Sequence, residues 1–286
     1  MRLLLLWFGF ALALAAQPGR ADPPRVVTDI PPVHSLASMV MAGIATPALL
    51  LDTAASPHQS QLRPSQARAL ARADVVFRVG GALTPWLERA IAGLAESAVP
   101  PPLLEAPGTR LRRTGGGTDP HAWLDPQNAI IWVRTIAETL SALDPDNAAA
   151  YRANAGTAVA TIEAAMKRAT EKLAPVRTLR LVFSHDAFGY FTARFGLRTV
   201  GTIADGDAAA PGAARLAALR KMAREGGIDC LLVEPGTSPA MAGLIAAEAD
   251  IPQAVVDPLG FALPVGSSQY PQLILGMAET IARCAR

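Results

Sequence analysis

Along the chain, short apolar runs alternate with longer segments whose apolar positions recur at helical spacing, and this happens in two separate stretches. In the first, residues 25–30, 47–51 and 74–79 read as strands, and 35–43, 64–73 and 86–95 as helices. In the second, residues 179–184, 198–203, 229–234 and 253–257 read as strands, and 188–195, 211–226, 239–249 and 270–283 as helices. Strands alternating with helices predict β-α-β units and parallel sheets. Between the two stretches, residues 98–118 are rich in Pro, Gly and Arg and read as a loop. Asp125-Pro126 then opens a helix carrying residues 129–143, and Asp144-Pro145 opens a run to about Leu173. In that run Ala155, Val159, Ile162, Met166 and Leu173 keep helical spacing.

The predicted fold class is therefore α/β: two α/β lobes with parallel sheets joined by a single long helix. The expected division is an N-terminal lobe over 22–145, a linking helix over 146–174 and a C-terminal lobe over 175–286. Residues 1–21 stand apart. A basic start at Arg2 leads into an uncharged apolar run over 3–16 and then small residues, the pattern of a cleaved export signal. As a helix the run would reach about 21 Å, short of a ~30 Å bilayer core. Export to the periplasm changes the reading of the two cysteines, Cys230 and Cys284. An oxidising compartment favours one disulfide between them, with two buried thiols as the alternative. Their long spacing and the lack of a CxxC argue against metal ligation.

Composition removes some functions. Half the chain is hydrophobic (51%) and the net charge is +2, so a folded core is expected without an electrostatic footprint for nucleic acid. Aromatics are few, which also argues against base stacking. No HExxH, G-x-S-x-G or phosphate-cradling G-x-x-x-x-G-K is present, so an enzyme reading has little support.

The chemistry that remains is in four histidines, His34, His58, His121 and His185. Each is expected just after a strand or just before a helix, and in open parallel sheets ligands bind outside the carboxyl ends of the strands. Asp257 ends the last strand in the same way. Three imidazoles (His58, His121, His185) with Asp257 make a tetrahedral N3O set that suits Zn(II). A helix cap or turn is the competing reading of Asp257. Asp125 and Asp186 are candidates to orient ligand rings through their second N–H, Glu234 to hold an imidazole, and His34 to serve as a transient or supporting ligand. Trp123, Phe188, Tyr190 and Phe191 are expected to pack beside the site.

The strings Ser56-Pro-His58-Gln-Ser-Gln-Leu-Arg-Pro-Ser65, Asp119-Pro-His-Ala-Trp-Leu-Asp-Pro126 and Ser184-His-Asp-Ala-Phe-Gly-Tyr-Phe191 carry more than a spacing argument. With Val233-Glu-Pro235 and Val256-Asp-Pro-Leu-Gly260, they resemble the metal-binding substrate-binding proteins of ABC importers, most closely the ZnuA-like zinc branch. The resemblance covers nearly all of the chain beyond the signal. It implies metal in a cleft between lobes, His58, His121 and His185 as ligands, and Asp257 as the fourth. The manganese branch carries a glutamate where His185 stands, so zinc is the implied cargo; the alternatives are a manganese- or iron-binding member of the same family, or a metal-dependent adhesin or zinc hydrolase. The partner it implies is an inner-membrane ABC permease, with the protein acting as a monomer. Many zinc-binding members also carry a long His- and Asp-rich insertion before the second histidine motif. Here residues 108–118 are short and contain no histidine, which leaves room for a separate periplasmic metallochaperone.

Overall fold

The computed structural model describes residues 22–51, 56–58, 60–95, 100–115, 117–204, 212–235 and 239–284. The export signal read at 1–21 lies outside the described residues. Within them, no helix is long and apolar enough to cross a membrane.

The N-terminal sheet contains β1 (Val26–Thr28), β2 (Ala48–Leu49) and β3 (Val75–Phe77), parallel and ordered β2-β1-β3. The C-terminal sheet contains β6 (Arg180–Phe183), β7 (Arg198–Thr202), β8 (Cys230–Val233) and β9 (Gln253–Val255), parallel and ordered β7-β6-β8-β9. The helices between strands are α1 (Pro31–Val40), α2 (Pro64–Ala71), α3 (Pro85–Leu94), α6 (Gly189–Phe195), α7 (Ala213–Arg224) and α8 (Pro239–Ala246). Proline opens the first turn of α1, α2 and α3, where its missing N–H costs no hydrogen bond and its fixed φ suits a helix.

Two findings depart from the sequence reading. Helix α1 begins at Pro31 rather than at residue 35, because Pro31-Pro32 acts as a helix start. His34 therefore lies inside a helix, not in a loop. The Pro/Gly-rich stretch also holds a small antiparallel hairpin, β4 (Arg113–Thr114) with β5 (Gly117–Thr118). Its strands are two residues long and show no alternation that a pattern search could detect.

Strand residues alternate between two environments, as a period of 2 requires. Val26, Val75, Phe77, Leu181, Phe183, Cys230 and Leu232 face one large core, which runs without a break through both lobes. Their neighbours Val27 and Val76 face a smaller cluster under α2 and α3, while Val182 and Leu231 face another under α7 and α8.

Through the large core run α4 (Pro126–Leu143), α5 (Ala148–Leu173) and α9 (Gln269–Cys284). α5 is the expected long linking helix, about 39 Å at ~1.5 Å per residue. It buries Tyr151, Ala155, Ala158, Ile162, Ala165, Ala169 and Leu173 at steps of three and four, against α4, α9 and α1. It is a core helix rather than a free-standing strut. α9 closes the structure. Tyr270 N donates to Ser35 Oγ of α1 at 2.9 Å, and Tyr270 Oη donates to Trp123 O at 2.6 Å. Cys284, at the end of α9, is disulfide-bonded to Cys230 of β8, with 5.9 Å between the Cα atoms.

Candidate metal centre

Three of the four histidines come together. The ring centroids of His58 and His121 are 5.8 Å apart, and those of His121 and His185 are 5.5 Å apart. Imidazoles sharing one tetrahedral zinc, with Zn–N near 2.0–2.1 Å, have centroids roughly 5 Å apart. The rings thus stand within about an ångström of ligating separation. They have not converged fully. Among the described residues, no three His, Cys, Asp or Glu side chains are already arranged to hold an ion.

Each ring is placed by its local sequence. His58 is in the turn after β2, and the indole Nε1 of Trp86 on α3 donates to Pro57 O at 2.8 Å to fasten that turn. His121 follows β5 and is nearly buried, 7% exposed. Asp119, two residues earlier, turns back so that Oδ1 accepts from His121 N at 3.0 Å and meets His121 Nδ1 at 2.9 Å. An ionised carboxylate only accepts, so the proton is on Nδ1 and Nε2 offers its lone pair to a metal.

His185 lies just past the end of β6. The β6–β8 register pairs Phe183 with Leu232, so Ser184 and His185 come level with Val233 and Glu234. Glu234 Oε1 accepts from Ser184 Oγ at 2.8 Å and pairs with His185 Nδ1. By the same logic Nε2 is the His185 nitrogen that could ligate a metal.

Asp257 follows β9. Its Oδ1 accepts from Leu259 N at 2.9 Å and Gly260 N at 2.8 Å, a tight turn around one oxygen. Its Oδ2 is buried and has no hydrogen-bond partner. A buried carboxylate oxygen left unsatisfied costs free energy, and in native structures it calls for an explanation. The next residue is tied to the cluster: Trp123 Nε1 donates to Pro258 O at 2.8 Å, and the Trp123 ring lies 5.3 Å from that of His121. Three carboxylates, Asp119, Glu234 and Asp257, thus belong to the loops that carry or adjoin the rings, a negative setting for a dication.

The remaining candidates have other work. His34, 4% exposed, sits in α1 with Nε2 3.0 Å from Pro47 O and Nδ1 3.4 Å from Ser38 Oγ. Burial lowers its pKa. Its visible task is to tie α1 to the start of β2. Asp125 does not hold a histidine. It caps α4 by accepting from Gln127 N at 3.0 Å, and it pairs with Arg194 at 2.6 and 2.7 Å. That task falls to Asp119, which sequence reasoning missed. The available signal was an Asp two residues before a histidine, the Asx-turn spacing. Asp186 is exposed and lines a small cavity of about 80 Å³ beside His185. Phe188 stacks on Phe183 at 4.6 Å and meets the His185 ring edge at 6.4 Å, an apolar wall to the site.

Residues 26–284 match the family model described as ZnuA, zinc-uptake complex component A, periplasmic. The chain is 39% identical to the high-affinity zinc uptake system protein ZnuA of Paracoccus denitrificans, over 96% of this chain and 95% of that one. A crystal structure of ZnuA superposes with a TM-score of 0.78 at 26% identity, covering 91% of this chain and 100% of that one. The SBP FpvC of Pseudomonas aeruginosa, solved with Mn2+, shares the fold at 22% identity, with a TM-score of 0.80 over 92% of this chain and 98% of its own. Fold and sequence agree, and the chain belongs to the ZnuA family of periplasmic zinc-uptake components.

Proposed function

We propose that this protein captures Zn(II) in the periplasm, in the cleft between its lobes, and delivers it to an inner-membrane ABC importer. His58, His121 and His185 bind through Nε2, and Asp257 completes a tetrahedron through Oδ2. The observation that carries this reading is the edge-to-edge clustering of three imidazoles, two of them with Nδ1 held by carboxylates. Three nitrogen donors to one oxygen favour zinc over the harder manganese. A full N3O shell holds the ion without an open position for a reacting water, so the protein binds and performs no hydrolysis.

Zinc draws the rings inward by less than about an ångström, a loop adjustment rather than a wide closure. The protein acts as a monomer on the periplasmic face of a permease and its ATPase. With no histidine in residues 108–118, a separate metallochaperone would do any scavenging.

The deciding experiment is metal analysis of protein isolated from a periplasm, followed by direct competition between zinc and manganese. Co-purification with near-stoichiometric zinc that excess manganese fails to displace is expected. Preferential retention of manganese would overturn the choice of cargo, and no retained metal would overturn the site.

A further inference from the structure

We infer that Arg112 is a positioning residue for the metal site, holding Asp119 from the side opposite His121 and fixing the distance between the two lobes' histidines. The inference rests on the zinc reading above. Arg112 and Asp119 face each other across the β4–β5 hairpin. They follow the Arg113–Thr118 pair in register, and Asp119 N donates to Arg112 O at 3.0 Å. Asp119 uses Oδ1 for the His121 ring and backbone, while Oδ2 is buried with no hydrogen-bond partner. Arg112 Nε is likewise buried without one and lies 3.7 Å from that oxygen. This is too long for a hydrogen bond and close enough for an ion pair between a buried carboxylate oxygen and the buried Nε of a side chain that is otherwise 40% exposed. The carboxylate is therefore held at both ends, by the imidazole on one side and the guanidinium on the other.

The guanidinium is itself seated on the other lobe. It lies 5.8 Å from the centroid of the Tyr190 ring. Tyr190 Oη accepts from Arg112 N at 2.8 Å and donates to Asp119 O at 3.0 Å. Gly189 lies directly beneath: a Cβ there would stand 2.6 Å from Arg112 Nη2, 2.7 Å from Nε and 2.8 Å from Cζ. Only glycine leaves room for this seat. Gly189 and Tyr190 begin α6, four and five residues after His185. Arg112 thus couples the loop of His121 to the segment that carries His185. A ring that shifts by less than about an ångström to ligate is steered by the carboxylate that supports it.

Gly189→Ala supplies a test that leaves Asp119 untouched. The added methyl meets only the far end of a flexible side chain, so it displaces the guanidinium without breaking the backbone. Zinc affinity by chelator competition and the visible absorption of the cobalt-substituted protein are read for the wild type, Arg112→Ala, Arg112→Lys, Gly189→Ala and Arg112→Ala/Gly189→Ala. Loss of a supporting partner typically weakens a site 10- to 100-fold, and about tenfold is expected for Arg112→Ala and for Gly189→Ala. Both should change the cobalt bands in the same way. The double variant should be no worse than either single one, and lysine should recover most of the loss by restoring the charge. Penalties that multiply in the double variant, or single variants with wild-type affinity and spectrum, would overturn the role of Arg112. A wild-type protein that binds no zinc would instead overturn the functional reading beneath it.

Discussion

Asp257→Asn and Asp257→Ala separate the two jobs of one carboxylate. Its Oδ1 makes two backbone hydrogen bonds, at 2.9 and 2.8 Å, and its Oδ2 makes none. Asparagine keeps an oxygen for the turn and replaces Oδ2 by an amide nitrogen that cannot ligate; alanine loses both functions. At about 1 kcal/mol per hydrogen bond, metal-free Asp257→Ala should be roughly 2 kcal/mol less stable than wild type, and metal-free Asp257→Asn within about 1 kcal/mol. For zinc the two variants should be alike. A binding free energy of about 10–16 kcal/mol shared among four ligands is roughly 3 kcal/mol each, so both should lose on the order of 100-fold in affinity. Urea unfolding of the metal-free proteins gives the first comparison, and chelator competition gives the second. Wild-type zinc affinity in Asp257→Asn would refute ligation by Oδ2. Equal instability of the two metal-free variants would refute the assignment of Oδ1 to the turn.

Three further expectations follow from groups away from the ligands. Asp29, fully buried at the end of β1, accepts from Ile30 N and Val79 N, yet burial pushes its pKa up from the ordinary 3.8 to about 7. The folded state then holds this proton more tightly than the unfolded chain. The associated stability is complete below pH 3.8, declines as pH rises, and is gone above pH 7, about 4 kcal/mol in all. Metal-free Asp29→Asn should lack that decline between pH 4 and 7, and an unchanged slope in urea titrations would contradict the assignment. The Cys230–Cys284 bond closes a separation of 54 residues, so Cys284→Ser should cost about 4 kcal/mol on a loop-entropy basis. A loss below about 1 kcal/mol in chemical denaturation would show that the unfolded chain gains little freedom there. His34→Ala should lower the melting temperature through the lost bond to Pro47 O while leaving zinc affinity within about threefold, as for a residue outside the ligand shell. If it proves the most damaging of the four histidine variants to zinc binding, the ligand assignment is wrong.

Periodicity found the strands and helices because burial on one face leaves a repeat that composition cannot hide. Residues 181–183 and 230–233 are plain apolar runs, and 148–173 keeps small or apolar residues in helical register. What was illegible depended on partners distant in sequence. In Asp119-Pro-His-Ala-Trp-Leu-Asp125 the Asx-turn spacing favours Asp119, but both aspartates are within reach of the ring in sequence. The choice is made by α4, which takes Asp125 as its cap, and by Arg194, which pairs with it from 69 residues away. Pro31-Pro32 could be taken for a loop, since proline interrupts helices as well as starting them. Arg112 looked like one of several arginines in a polar loop until the hairpin register set it opposite Asp119. Candidate rings could be named from sequence, and so could Glu234 as a carboxylate that holds one of them, but the parts played by Asp119 and Arg112 could not.

The apolar interior shared by both halves has a consequence for how the molecule comes into being. Helix α9, the last element in the chain, supplies Tyr270, Leu273, Ile274 and Met277 to an interior begun by Val26 and α1. Neither half can complete its burial alone, so a fragment ending before residue 269 should remain loosely collapsed. A calorimeter should record one cooperative melt for the intact protein instead of two. On this arrangement the part of the interior that α9 covers is completed only when α9 docks, so shape and histidine cluster should form together.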